Sequence, residues 1–237
     1  WRNVKRHKNK SKKGTAMETD TFQTPAGDLI IRFAGHSSLI FFWAGKNIHV
    51  DPVSEEADYT RLPKADVILI THGHGDHMDV KAVNLIKTAA TKIVGNDEVG
   101  SQIPGTLVMK NGEERSVEGL KIEAVPAYNL EHMRAPGKPF HPKGVGNGYV
   151  VSLGGLRLYI AGDTENIPEM RRLQNIDIAF LPMNLPYTMT PEMVADAAQM
   201  FHPKVLYPYH QGETDTTKLL ALMKNQKDID IRIRTMK

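Results

Sequence analysis

Cysteine is absent from the 237 residues, which excludes disulfides, thiolate metal ligands and a cysteine nucleophile at once. No apolar run approaches the roughly 18 residues that a bilayer-spanning helix needs. Two catalytic signatures are also missing. There is no glycine-rich phosphate loop of the nucleotide-hydrolase type and no Gly-x-Ser-x-Gly elbow, so serine nucleophiles and nucleoside triphosphate chemistry have no support. With thiolates gone, any metal ion must be held by His, Asp or Glu. The remaining composition, 41 % hydrophobic and 24 % charged, is that of a chain able to bury a large core.

Acidic residues are missing from one stretch as well. Residues 1–14 carry seven Lys or Arg and no acid, so the formal charge of +3 conceals a remainder with 23 basic against 27 acidic side chains. Such a segment has too little apolar surface to fold alone, and residues 1–20 are expected to form a basic tail, with one folded domain over 21–237. The tail reads as a solvated extension or as an electrostatic contact to an anionic membrane surface. The mildly acidic body gives no reason to expect a stable nucleic acid partner. The compartment is open between cytoplasmic and exported with an upstream signal removed, and the oligomeric state is not readable.

From Asp28 onward, β-branched runs alternate with Gly, Pro and Asp. Leu29–Phe33, Leu39–Trp43 and Asn47–Val50 predict successive strands, and the continuous apolar run Asp66–Thr71 predicts a strand buried on both faces. Val80–Ala90 has helical spacing with Asp79 near its N-cap. Further strands are predicted at Lys121–Val125, Tyr149–Leu153, Leu156–Ala161, Asp177–Leu181, Val205–Tyr207 and Ile229–Ile233, with Gly154-Gly155 as a tight hairpin turn. Thr190-Pro191-Glu192 is a helix start, and another helix is expected near Thr216–Asn225. Strands outnumber helices, and hairpins mix with crossovers. The pattern predicts an α/β (α+β) protein with two packed sheets and helices outside.

One segment concentrates chemistry: Thr71-His72-Gly73-His74-Gly75-Asp76-His77-Met78-Asp79, just past the apolar strand. Four metal-competent side chains in six residues suit Zn²⁺ and its neighbours, and the two glycines let the backbone turn tightly. This His-x-His-x-Asp-His segment resembles the first signature of the metallo-β-lactamase superfamily. Leu158–Thr164 (LYIAGDT) resembles that superfamily's strand ending in a metal-bridging Asp, and Tyr207–His210 the strand before its last metal-binding His. Gly35–Ser38, Asp51-Pro52 and Phe140–Gly144 are similar to the branch of metal-dependent hydrolases that contains the L-ascorbate-6-phosphate lactonase.

The resemblance implies a four-layer αββα sandwich and two divalent metal ions, Zn first and Mn or Fe as alternatives. It assigns His72, His74 and a further histidine to one ion, and Asp76, His77 and His210 to the other, with Asp163 bridging. The strand end where the further histidine usually stands reads Val125-Pro126-Ala127-Tyr128-Asn129 and lacks one. His141 is favoured for the role over His132, both in the following loop. Asp76 is either a ligand or mainly a proton acceptor orienting the attacking hydroxide. The implied activity is hydrolysis of a small-molecule ester or lactone, such as a sugar phosphate lactone, by a metal-activated hydroxide. A phosphodiesterase acting on phospholipid or nucleic acid is the second reading, and an inactive metal-binding protein the third.

Several residues carry two readings. His36 is a structural histidine or a residue of the site rim. Asp51 is a turn cap or the acceptor of a ligand histidine's second ring proton. Met183, Tyr187 and Met189 are core filler or pocket wall. His49 and His202 read as structural, and Gly144–Gly148 as a flexible loop.

Overall fold

The computed structural model describes residues 17–236. Its first sheet runs in chain order: β1 (Glu18–Phe22), β2 (Leu29–Gly35), β3 (Ser38–Trp43), β4 (Lys46–Val50), β5 (Val67–Leu69), β6 (Lys92–Gly95) and β7 (Leu107–Val108). Helices α1 (Val80–Ile86) and α2 (Asp97–Gln102) fall between its later, parallel strands. Then come β8 (Glu114–Val117), β9 (Leu120–Ala127), a separate ribbon of β10 (Met133–Ala135) and β11 (Lys138–Pro139), β12 (Gly146–Leu153) and β13 (Leu156–Ile160). A 3₁₀ turn at Pro168–Arg172, β14 (Ile178–Pro182), α3 (Pro191–Phe201), β15 (Val205–Tyr209), α4 (Thr216–Leu222) and β16 (Asp230–Ile231) follow. The second sheet has the order β16-β15-β14-β13-β12-β9-β8.

Period-two patterning decides how the sheets stack. Leu29, Ile31 and Phe33 of β2 point into a cluster shared with Ile178 and Phe180 of β14 and with Tyr207 and Tyr209 of β15. On β5, Val67 and Leu69 join that cluster, whereas Ile68 points the other way, under Val83 and Ile86 of α1. On β14, Ala179 and Leu181 face Val194, Ala198 and Phe201 of α3. Three apolar interfaces therefore separate four layers, which is the αββα sandwich. Rings tie the two sheets, with Phe33 and Tyr207 centroids 5.0 Å apart. Tyr149 also donates its hydroxyl proton to the Ile70 carbonyl at 2.9 Å.

Local signals set the helix ends. The Thr190 hydroxyl accepts from Met193 N, Pro191 occupies the first turn, and His202 closes α3 in the left-handed region at φ 45°. α1 stops at Ile86, short of the predicted Ala90, because Lys87 turns extended and a Thr88–Thr91 turn takes over, with Thr88 N donating to Thr91 Oγ1 at 2.8 Å. α4 and the closing strand are likewise shorter than their sequence patterns suggest. Gly154 and Gly155 both have positive φ, as the tight hairpin requires.

Two expectations are corrected. Gly144–Gly148 is not a loop throughout: residues 146–148 open β12 and pair with Ala127, Pro126 and Val125 of β9. A Cβ on Gly148 would lie 2.8 Å from the Ala161 carbonyl oxygen, so glycine there permits close strand approach. The expected tail of residues 1–20 is also too long. Residues 1–16, with the membrane contact expected of them, lie outside the described residues, but Glu18, Thr19 and Asp20 belong to β1 and pair with Phe33, Arg32 and Ile31.

Asp20 explains why the strand begins there. Its carboxylate accepts two bonds from Arg234 Nη2 at 2.6 and 2.7 Å, one from Arg232 Nη1 at 3.1 Å and one from the Tyr207 hydroxyl. It thereby ties the first strand of one sheet to the end of the other. Burial alone would raise its pKa, but the Arg234, Tyr207 and Arg232 hydrogen bonds hold it below the ordinary 3.8. Asp20→Asn is expected to cost about 1.5–3 kcal/mol at pH 7, the usual scale for hydrogen bonds to a charged group. Because the folded-state pKa is depressed, that stabilisation is complete above the ordinary value and fades as pH falls through the folded one. Urea melts at pH 7 and pH 3 should show the gap between wild type and variant narrowing in acid; an equal gap at both would refute the account.

Candidate metal centre

The site is built from loops that follow strands of both sheets. β2 leads to His36, β4 to Asp51, β5 to the 72–77 segment, β9 to the loop ending in His141, β13 to Asp163 and β15 to His210. The 72–77 turn closes on itself, with His77 N and Met78 N donating to the His74 carbonyl at 3.0 and 2.8 Å. Asp79 then caps α1 by accepting from Lys81 N. Gly162, at φ 65°, directs the chain so that Asp163 enters the cluster; a Cβ there would lie 2.8 Å from the Asn147 carbonyl oxygen. His210 is fixed by its N–H, which donates to the His36 carbonyl at 2.9 Å.

Hydrogen bonds behind the histidines settle where their protons lie. Asp51 is buried and accepts from Thr71 N and the Thr71 hydroxyl, each at 2.8 Å, and from His77 Nδ1 at 2.8 Å. Since the Thr71 hydroxyl gives its proton to Asp51, its oxygen accepts from His72 Nδ1 at 3.1 Å. Asn129 Nδ2 donates to Glu165 Oε1 and to the Tyr187 carbonyl, so Asn129 Oδ1 is the acceptor for His141 Nδ1 at 2.7 Å. His72, His77 and His141 thus turn Nδ1–H outward and present bare Nε2 atoms inward.

Those lone pairs meet carboxylate oxygens. His77 Nε2 is 3.2 Å from Asp163 Oδ1, His141 Nε2 is 3.1 Å from Asp163 Oδ2, and His210 Nε2 is 3.5 Å from both Asp163 Oδ1 and Asp76 Oδ2. His72 Nε2 and His74 Nδ1 are 3.0 Å apart. His77 Nε2, His210 Nε2 and Asp163 Oδ1 are buried without a hydrogen-bond partner. Acceptors aimed at acceptors in a dry interior are repulsive until a proton or a cation lies among them. The donor set of imidazole nitrogens and carboxylate oxygens fits divalent metal ions, and three groups have ligand atoms within 4.8 Å of one another: His36, Asp76, His77 and His210; His72, His74 and His141; His72, His77 and Asp163.

Burial would lower the pKa of His77, but the Asp163 and Asp51 carboxylates outweigh it and hold it well above the usual imidazole value. Burial would raise Asp163, yet the neighbouring His210, His77 and His141 hold it well below the usual carboxylate range. Asp76 is also held down, against its own desolvation, by His210 and His36. The raised His77 and the lowered Asp163 and Asp76 pair opposite charges within the cluster, whereas burial, and after it the neighbouring histidines, hold His72 and His74 below the usual imidazole value.

The structure brings together all seven histidines and acids expected at the centre: His72, His74, Asp76, His77, His141, Asp163 and His210. Of the two loop histidines, His141 joins His72 and His74. His132 lies instead with Nδ1 2.7 Å from Glu165 Oε1. His36 stands at the rim, with Nε2 3.3 Å from Asp76 Oδ2 and its ring centroid 3.8 Å from that of His210. Met183 and Met189 are core, whereas Tyr187 lines the cavity. His49 is structural: buried, bonded to the Pro63 carbonyl at 3.1 Å and depressed by burial to about 4. Asn129 and Glu165 were not singled out from the sequence, although Asn129 occupies the strand end where a histidine was sought and Glu165 stands two residues past Asp163. A cavity of about 490 Å³ opens on the cluster, lined by His74, Asp76, His141, Asp163 and His210 and completed by Arg134, Phe140, Asn184 and Tyr187.

Comparisons with known proteins agree with this geometry. Residues 30–210 match the family described as the Beta-lactamase superfamily domain. A UPF0173 metal-dependent hydrolase of Thermococcus onnurineus is 34 % identical over 195 residues, covering 76 % of this chain and 83 % of that protein. A crystal structure of a protein from Parabacteroides distasonis, described as a metal-dependent hydrolase, has a TM-score of 0.89 at 48 % identity, covering 94 % of this chain and 100 % of that one. A metallo hydrolase from Ignicoccus hospitalis shares the fold, with a TM-score of 0.70 at 22 % identity over 86 % of this chain and 94 % of that one. The chain belongs to the metallo-β-lactamase superfamily, in its UPF0173 metal-dependent hydrolase family.

Proposed function

We propose that this metal-dependent hydrolase is binuclear and cleaves a small ester or lactone. His72, His74 and His141 would hold one ion, Asp76, His77 and His210 the other, with Asp163 serving both. The observation that carries two ions is the split of Asp163: Oδ2 faces His141, and Oδ1 faces His77 and His210. Zinc is the first choice, and manganese or iron accept the same nitrogen and oxygen donors.

When bound, such ions make hydroxide available at neutral pH and polarise the substrate's electrophilic centre. The chain's own residues supply orientation. Asp51 and Asn129 hold the His77 and His141 rings by their outward protons. Asp76 lines the cavity with His36 Nε2 3.3 Å from its carboxylate, so it can orient the attacking water by accepting its hydrogen bond. The cavity has the size of a small-molecule site, which favours a compact substrate over a polymer. The lactone reading draws in addition on the likeness of Phe140–Gly144 to the lactonase branch.

Elemental analysis of protein purified without added metal should give close to two ions per chain, with turnover of lactones or p-nitrophenyl esters. Cleavage of bis(p-nitrophenyl) phosphate in their place would move the phosphodiesterase reading to first rank. No turnover after reconstitution would favour the inactive metal-binding protein. Asp163→Ala should stay folded by circular dichroism, lose at least one ion and drop about a thousand-fold or more in turnover, the scale of several kcal/mol of transition-state stabilisation; full activity would sink the bridging role. Asn129→Ala should weaken metal retention against a chelator about 10–100-fold through His141, and unchanged retention would show that the ring needs no such support.

A further inference from the structure

We propose that the substrate carries an oxyanion, a carboxylate or a phosphate, remote from the bond that is cleaved, and that Arg134 binds it. The inference rests on the hydrolase reading of the cavity. Five of the nine lining residues belong to the histidine and carboxylate cluster, and the other four, Arg134, Phe140, Asn184 and Tyr187, are left to meet the rest of the substrate. Among the lining residues, Arg134 alone bears a permanent positive charge.

Its surroundings hold it without neutralising it. Arg134 Nη2 donates to the Phe140 carbonyl at 2.8 Å, and its Cζ lies 5.8 Å from the centroid of the Phe140 ring. No carboxylate of the described residues pairs with it. Other arginines of the described residues are paired, Arg115 with Glu113, Arg157 with Glu123, Arg232 with Asp20 and Asp230, and Arg234 with Asp20, while those that are not paired lie outside the cavity. A guanidinium that gives one Nη2 proton to a backbone carbonyl keeps its other four N–H groups, among them one of the two paired edges (Nε with Nη2, or Nη1 with Nη2) that make the planar, two-point contact carboxylates and phosphates accept.

The segment leading to this exposed cation is held by a buried anchor. Arg134 sits on the β10–β11 ribbon, outside both sheets. The stretch leading into the ribbon is pinned by Glu165, which accepts from Leu130 N, Glu131 N and His132 N, each at 2.7 Å, and from Asn129 Nδ2 at 3.0 Å. Asn129 also holds His141. One carboxylate therefore sets both a histidine of the metal cluster and the start of the segment carrying Arg134. Across the cavity wall the Phe140 ring meets Tyr187 edge to face, with centroids 5.1 Å apart, adding an apolar surface beside the cation.

The first test compares p-nitrophenyl butyrate with mono-p-nitrophenyl succinate, which differ only in a terminal methyl against a carboxylate. The metal-loaded wild type should favour the succinate ester in kcat/KM, and Arg134→Gln should reduce that preference about ten- to a hundred-fold, through KM, with Arg134→Lys in between. A preference unchanged in Arg134→Gln overturns the proposal. The second test needs no turnover: titration calorimetry of succinamate, a carboxylate without an ester, and of inorganic phosphate into metal-loaded wild type and Arg134→Gln. The anion whose affinity falls ten-fold or more in the variant identifies the group, and equal affinities for both proteins refute the role of Arg134. Failure of both esters to react, with an Arg134-dependent affinity intact, would instead reject the ester reading and leave the anion site standing.

Discussion

Three imidazole protons point away from the centre of this protein, and the fold is arranged to keep them there. Asp51, the Thr71 hydroxyl and Asn129 accept them, which obliges His77, His72 and His141 to turn bare nitrogens inward. Facing two of those nitrogens is Asp163, buried and anionic. A buried charge without compensation costs several kcal/mol, so the arrangement carries its own demand for positive charge. The site is therefore a preformed deficit, set by hydrogen bonds one step removed from the ligand atoms.

Such a deficit is tolerable only within a large, well-packed body. The residues come from both sheets, so the centre does not exist until the sheets have closed on the apolar layer between them. Phe33, Phe180 and Tyr207 fill that layer directly beneath strand ends that project toward the cluster, and the Tyr209 hydroxyl accepts from Gly162 N at 3.0 Å, next to Asp163. Packing and chemistry share atoms here, and the rigidity of the core becomes the precision of the site.

How much of this was legible follows from locality. The four ligand-type residues of 72–77 lie on one short turn, so spacing alone announced them. Asp163 and His210 were legible through strand-end motifs that resemble the superfamily's. Their distances to the cluster were not, because these are made by sheet order. His141 was favoured over His132 through the likeness of the Phe140–Gly144 stretch, but what holds the two histidines apart was not legible, because Asn129 and Glu165 act only once β9 and β13 have brought them together. Elements were missed for physical reasons too. β6 and β7 are short, β1 hides in polar sequence stabilised by Asp20, and β12 opens on Gly146-Asn147-Gly148, where no apolar side chain marks the alternation.

The β10–β11 ribbon belongs to neither sheet and is tied down at its two ends, by Glu165 before it and by His141 after it. Between those knots the Pro136-Gly137 turn is exposed and carries no load from the sandwich. The length and chemistry of that segment are thus variables that mutation can explore one at a time, while the hydrolytic apparatus on the strand ends is held constant. Substitutions between Met133 and Pro139 would therefore reshape one wall of the cavity while the packing of both sheets stays as it is.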